Sequence, residues 1–173
     1  MDGIIHICNR SRAARIKRYG WSGVLTFADP VQRNVLAFHT HPHPEHLVIR
    51  CDDLDEPIPR FSPPTASQVA KVIEFGRRHP ASSLLVHCNA GISRSTAAAL
   101  AIIADRFGPG REEEALRTML DLRPEAVPNL QIVRYADEQL HRQGELLRTV
   151  MDWDIPREWN QWRRKANQLV VTH

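Results

Sequence analysis

The chain has 173 residues, a net charge of +3 and three cysteines. That length supports one domain with a real core and leaves little room for a second. No apolar run approaches the ~18 residues of a membrane span. The charge is too small for a nucleic-acid footprint, and three cysteines build no disulfide framework. The start, Met1-Asp2-Gly3-Ile4-Ile5-His6, has no basic segment followed by a long apolar one, so no secretory signal is expected. A reducing, cytoplasmic setting without a nucleic-acid partner is the expectation; the sequence sets no oligomeric state.

Residues 3–8 read as a first strand and residues 11–19 as a helix, capped by Ser11 and ended by Gly20. Arg10, Arg12, Arg15, Lys17 and Arg18 make this helix basic. A solvated face is the preferred reading over a recruiting patch for an acidic or membrane-surface partner. Residues 24–27 form a second strand, ended by Ala28, Asp29 and Pro30. Residues 32–46 are a polar connection with room for a short helical turn. His39, His41, His43 and His46 lie there, with Glu45 beside them, and spacing of this kind can hold a metal. Pro42 and Pro44 disrupt strand pairing, however. The preferred reading is an exposed loop that gains charge as pH falls, and no metal is expected.

Residues 47–51 read as a buried strand and residues 52–64 as a proline-rich loop. Thr65 and Gln68 form a capping box that opens an amphipathic helix. Val69, Val72, Ile73 and Phe75 point inward, and the helix ends at Gly76 or at His79-Pro80. Residues 83–87 are a strand. An alanine-rich helix over residues 95–107 stops at Gly108-Pro109-Gly110. The next helix, residues 111–122, carries Glu112, Glu113 and Glu114 at its favourable N-terminal end. After a turn at residues 123–129, residues 130–147 read as one helix. Trp153, Trp159 and Trp162 mark a final helix with Pro156 near its first turn, docked on the domain through its tryptophans. Strands alternating with helices argue an α/β fold with a mostly parallel sheet.

The stretch Leu84-Leu85-Val86-His87-Cys88-Asn89-Ala90-Gly91-Ile92-Ser93-Arg94-Ser95-Thr96 carries the chemistry. It is strand, loop and helix, with a cysteine where the loop begins and an arginine where the helix begins. Successive backbone N–H groups in such a loop can form an anion cradle, to which the helix N-terminus adds its own. A cysteine at the bottom would be held as thiolate. Arg94 is placed to fork onto two phosphate oxygens, and Ser95 can donate to the sulfur. Gly91 sits mid-loop, where positive φ or close backbone approach is easiest. The similar start Cys8-Asn9-Arg10-Ser11-Arg12 fails, because the position six after Cys8 is Ala14.

His87, Cys88, Gly91, Arg94 and Ser95 match every fixed position of the motif His-Cys-x-x-Gly-x-x-Arg-Ser/Thr. At these residues the chain resembles the cysteine-dependent protein tyrosine phosphatases. Residues 90–95 are most similar to the compact dual-specificity branch, and so is the run from Arg123-Pro124 to Pro128-Asn129. The resemblance covers about residues 20–147 and implies a central sheet of four to five strands flanked by helices. Residues 1–173 then form a single phosphatase domain with a helical extension at about residues 150–173.

The resemblance also implies a general acid, an Asp on a loop after an earlier strand. Here that loop is Cys51-Asp52-Asp53-Leu54-Asp55-Glu56. Asp53 is favoured because it follows the strand by two residues, as the family's Asp does. Asp55 and then Asp52 are the alternatives, and solvated loop carboxylates are the plain reading of all three. The Trp-Pro-Asp of other tyrosine phosphatases is absent, as is usual in the compact branch. Cys51 could trap an oxidised Cys88 as a disulfide, but a small core residue is the commoner role. Asn129 could position water, although its place before an apolar helix favours an N-cap.

By resemblance the chain is expected to be a phosphomonoester hydrolase of the tyrosine or dual-specificity type. Cys88 would attack phosphorus, while the N–H groups of Asn89, Ala90, Gly91, Ile92 and Ser93 hold the oxygens with Arg94. Asp53 would donate the proton, and His87 and Ser95 would tune the thiolate. No metal or cofactor is required. The expected partner is a phosphorylated protein or small phosphomonoester in a shallow pocket open to phosphotyrosine and to phosphoserine or phosphothreonine. A phosphoinositide, inositol-phosphate or RNA 5′-phosphate substrate is the alternative, disfavoured by the neutral loop residues. A silent phosphate-binding module is disfavoured by the intact Cys88 and Arg94.

Overall fold

A computed structural model describes residues 3–17 and 19–172. Among them the strands are β1 (Ile5–Asn9), β2 (Gly23–Ala28), β3 (Glu45–Arg50) and β4 (Leu84–Cys88). They form one sheet in the order β1-β4-β2-β3, and every pairing is parallel. The sheet therefore has four strands and is parallel throughout. All four carboxyl ends lie along one edge, where open parallel sheets bind ligands. None of the described helices is long and apolar enough to cross a membrane.

The helices are α1 (Arg10–Ile16), α2 (Ala66–Arg78), α3 (Arg94–Phe107), α4 (Glu112–Leu122), α5 (Leu130–Gln139), α6 (Glu145–Asp154) and α7 (Glu158–Thr172). Alternation along β2 and β4 divides the interior in two. Leu25, Phe27, Leu84, Val86 and Cys88 face a large core shared with Val72, Phe75, Leu100, Met119, Ile132 and Leu146. Val24 and Leu85 face a smaller one with Cys8, Ala13 and Phe38, beneath α1 and the connection after β2. α3 is buried on nearly every side, which explains its alanines: a helix wedged between a sheet and other helices has little room for longer side chains.

Several boundaries depart from the sequence reading. Asn9, not Ser11, caps α1, its side chain accepting the Arg12 N–H at 2.8 Å. Arg18 of the basic segment lies outside the described residues, as does His173 at the end of the helical extension. The connection between β2 and β3 forms no helical turn, and β3 starts at Glu45, two residues earlier than read. The capping box at Thr65 and Gln68 forms as expected.

The single helix read over residues 130–147 is two. His141, Gln143 and Gly144 adopt positive φ between α5 and α6, and Gly144 suits that conformation. Asp137 holds the break. Its carboxylate accepts the N–H groups of Gly144 at 2.7 Å, Leu146 at 2.8 Å and Leu147 at 3.2 Å, supplying the start of α6 with its missing acceptors. The final helix is divided too: Trp153 ends up in α6, packed on the core. Trp159 and Trp162 stack on each other at 5.0 Å but stay 61% and 58% exposed, so they do not dock as expected. Arg164 of the same helix reaches the domain instead, pairing with Asp55 at 2.9 Å.

Asp137→Ala leaves those N–H groups without an acceptor in a buried setting. It is expected to lower the urea-unfolding free energy by about 2–3 kcal/mol, with Asp137→Asn losing less. A loss below about 0.5 kcal/mol would show that the turn holds without the carboxylate.

Candidate active site

The loop between β4 and α3 is braced from outside. The Asn89 carbonyl accepts the Arg10 N–H at 3.2 Å, and the Ile92 carbonyl accepts the Val127 N–H at 2.8 Å. The Gly91 carbonyl accepts Arg123 Nε at 3.0 Å. The Ser93 carbonyl accepts the Ala97 N–H at 3.0 Å and Thr96 Oγ1 at 2.8 Å. Each carbonyl and the next N–H point in opposite directions across a planar trans peptide. The N–H groups of Ala90, Ile92, Ser93 and Arg94 are therefore turned toward the inside of the loop. Gly91 itself donates its N–H to Cys88 Sγ at 3.1 Å. Its φ is +70°, and a Cβ there would overlap the backbone of Cys8 and Asn9. Glycine is required on both counts: the loop curls tightly and rests on the end of β1.

Cys88 is 2% exposed at the bottom, its sulfur 3.3 Å from Ser95 Oγ. Arg94 closes the loop and is 3% exposed. Its NH1 donates to the Cys51 carbonyl at 2.6 Å and pairs with Asp29 at 2.8 Å. Its buried Nε has no hydrogen-bond acceptor among the described residues and lies 4.0 Å from Asp53 Oδ2. Burial opposes the charge on this guanidinium, but Asp53, Cys88 and Asp29 outweigh it and raise the Arg94 pKa above its ordinary value. One edge of the fork is thus anchored to the fold and the other is turned to the site.

The three aspartates of the acid loop occupy three different positions. Asp52 closes its own loop, accepting the Ser62 N–H at 2.7 Å. Asp55 accepts the Leu130 N–H at 2.6 Å and pairs with Arg164 at 2.9 Å. Asp53 is the one beside Arg94. Its Oδ1 accepts Ser93 Oγ at 2.6 Å and Asn129 Nδ2 at 3.0 Å, and its Oδ2 faces Arg94. Asn129 meanwhile caps α5 through Oδ1, which accepts the Ile132 N–H at 2.9 Å. One end of its amide starts a helix and the other holds Asp53.

His87 lies behind the loop, 2% exposed. Its Nε2 is 2.8 Å from Thr26 Oγ1, which is 2.8 Å from Nε2 of His46. A hydroxyl has one hydrogen to give. One imidazole donates to it and the other accepts from it, so the line requires at least one of the two Nε2 atoms to be unprotonated. Burial, followed by the nearby His46, pushes the His87 pKa down to about 4, and burial lowers that of His46. The histidine cluster is accordingly divided. His46 turns inward, while His39, His41 and His43 are exposed and contact one another ring to ring. Among the described residues no three His, Cys, Asp or Glu side chains are grouped to hold a metal. Cys51 is fully buried in the large core, and burial pushes its thiol up to about 12, which suits packing and not reactivity.

Asp29 was missed in the sequence. It stands just beyond β2, where its carboxylate pairs with Arg94 and accepts Asn89 Nδ2 at 2.5 Å. The available signal was positional: a carboxylate after a strand that pairs parallel with β4 must reach the same edge of the sheet.

No protein-family model and no curated protein matches the sequence. Solved structures do match. The Yvh1 phosphatase domain from Chaetomium thermophilum shares 22% identity over 84% of this chain and 98% of its own, with a TM-score of 0.53. This is the fold of the compact dual-specificity phosphatases. DUSP15 aligns with 21% identity over 86% of this chain and 90% of its own at a TM-score of 0.57. Human DUSP28 aligns with 21% identity over 83% and 99%, at 0.51. Within this phosphatase fold, the residues described above occupy the edge formed by the strand carboxyl ends.

The neutral line has a measurable consequence. His87 binds its proton near pH 4 in the fold and near 6.5 when unfolded. The unfolded chain binds more protons between these values, so stability falls as pH drops through that window. His87 alone accounts for a loss of about 2 kcal/mol on going from pH 8 to pH 5. In His87→Gln the drop in urea-unfolding free energy is expected to shrink by about that amount. Equal drops in the two proteins would mean that His87 is not held neutral.

Proposed function

We propose that the protein hydrolyses phosphomonoesters through a phosphocysteine at Cys88. The observation that carries this reading is the meeting of Cys88 and Arg94 at the two ends of an inward-facing N–H loop, with the Asp53 carboxylate opposite. The Cys88 thiolate attacks phosphorus in line. The loop N–H groups and the free edge of Arg94 take the three equatorial oxygens as charge shifts in the transition state. The P–O bond to the leaving group breaks as the S–P bond forms. Asp53 supplies the proton to the departing oxygen, from Oδ2, because Oδ1 already accepts two hydrogen bonds. In the second half, Asp53 takes a proton from water, water attacks phosphorus, and the thiolate leaves with inorganic phosphate released. Ser95 bonds the sulfur, and His87 stands immediately before it on β4.

A phosphorylated protein side chain is the substrate class that fits. Asp29 flanks the loop with negative charge, while Asn89, Ala90, Ile92 and Ser93 within it are neutral. A phosphoinositide or RNA 5′-end would bring further anionic groups beside this carboxylate, with no cation in the loop besides Arg94 to receive them.

Cys88→Ser is expected to abolish release of phosphate from p-nitrophenyl phosphate while vanadate or phosphate binding survives. Retention of most turnover would remove Cys88 from the covalent role. Arg94→Lys keeps the charge but loses the planar two-point contact, and kcat/KM is expected to fall by about 10²-fold or more. A near-normal value would exclude Arg94 as the oxyanion clamp.

The acid is identified by its leaving-group dependence. With an alkyl or tyrosyl phosphate, Asp53→Asn is expected to lower kcat by about 10²–10⁴-fold, and with a very good leaving group by far less. Asp52→Asn and Asp55→Asn run beside it distinguish the three carboxylates. If neither substrate class separates Asp53→Asn from the native protein, Asp53 is not the proton donor.

A further inference from the structure

Arg164, in the helical extension beyond the phosphatase core, joins three separate segments with one guanidinium. Its NH1 lies 2.9 and 3.1 Å from the two oxygens of Asp55, in the acid loop. Its NH2 donates to the Pro128 carbonyl at 2.9 Å, and its Nε to Asp154 Oδ2, at the end of α6, at 2.7 Å. The side chain is 10% exposed. Asp154 is buried; its Oδ1 accepts Asn160 Nδ2 at 2.8 Å and its Oδ2 also accepts Gln161 Nε2 at 3.0 Å, both from α7.

Two of the three segments are those that hold Asp53. Asp55 follows it by two residues in the same loop. Pro128 precedes Asn129, whose Nδ2 donates both to Asp53 Oδ1 and to the Leu54 carbonyl. The acid loop and the turn before α5 meet at Asn129 on the inner side and at Arg164 on the outer side. A planar guanidinium fixes the distance and angle between them in a way that an ammonium cannot. Apolar packing would tether α7 with less desolvation, so a buried charged bolt at this place favours specific geometry over simple attachment.

We propose that Arg164 is a positioning residue for proton transfer: through Asp55 and Pro128 it sets where Asp53 presents its carboxyl to the leaving group. This rests on Asp53 being the acid. The extension then belongs to the active site without touching the substrate. The hydrogen bonds of Arg164 go to Asp55, Pro128 and Asp154 and not to the Cys88 loop, which it reaches only through the turn at residues 127–129.

The test uses the full chain with Arg164→Met, a side chain of similar length without charge. Turnover is measured on an alkyl or tyrosyl phosphate and on a phosphate with a very good leaving group, below the melting temperature of each variant. The expected result is a loss of about tenfold or more on the poor leaving group and about twofold or less on the good one, approaching the Asp53→Asn pattern. The double variant with Asp53→Asn is expected to lose no more activity on the poor leaving group than Asp53→Asn alone. Equal losses on both substrates would mean that Arg164 only maintains the fold, and no loss on either would mean that Asp53 is positioned without it; both overturn the proposal. If Arg164→Met does not fold, Arg164→Lys is judged by the same split between substrates. Asp53→Asn serves as the control: if it lacks leaving-group dependence, the assignment of the acid fails, whereas a normal control with a flat Arg164 variant overturns the positioning role alone.

Discussion

A guanidinium buried at the carboxyl edge of a parallel sheet is the constraint around which the site is arranged. Arg94 is nearly inaccessible, and a bare charge there would be costly. Its compensation comes from the ends of neighbouring strands: Asp29 after β2, the Cys51 carbonyl after β3, and Asp53 two residues further on. Because every strand runs the same way, these groups converge without long connections. Cys88, at the end of β4, belongs to the same edge and adds to the field that keeps Arg94 charged. The partners together satisfy NH1 and leave Nε without one, which is the state that the proposed oxyanion clamp requires before its ligand arrives.

Much of this was legible because the chemistry is local. The motif from His87 to Ser95 specifies its own strand, loop and helix start, and Gly91 could be read as a turn glycine from position alone. What position could not supply was the reason for its smallness, namely the backbone of Cys8 and Asn9 lying against it. That contact comes from the pairing of β1 with β4, some eighty positions apart in the chain. Asp29 was invisible for the same reason. The sequence favoured Asp53 over Asp55 and Asp52 by its distance from the strand alone, and their distant partners, Ser62, Arg164 and Ser93 with Asn129, give the three distinct places. The unbroken helix read over residues 130–147 failed for the opposite reason. Its apolar spacing continues across the break, while the determinant, the Asp137 carboxylate folding back onto the start of α6, is a polar side chain that helical periodicity does not register.

The site is bordered by two polar lines of different character. On one side, Thr26 joins His87 and His46 in a buried chain whose rings burial keeps toward the neutral form. On the other, Ser93, Asp53 and Asn129, then the N–H of the adjoining Leu130 with Asp55 and Arg164, form a chain that contains formal charges. A neutral line behind the sulfur leaves its field to the loop dipoles and Arg94, with no buried imidazolium competing for the incoming phosphate. A charged line on the acid side gives Asp53 donors on one oxygen while the other stays toward the site. The proposed proton transfer needs this asymmetry. A carboxyl bonded equally on both oxygens would have no preferred position for its hydrogen, whereas here the two donors on Oδ1 leave Oδ2 as the oxygen that can carry it.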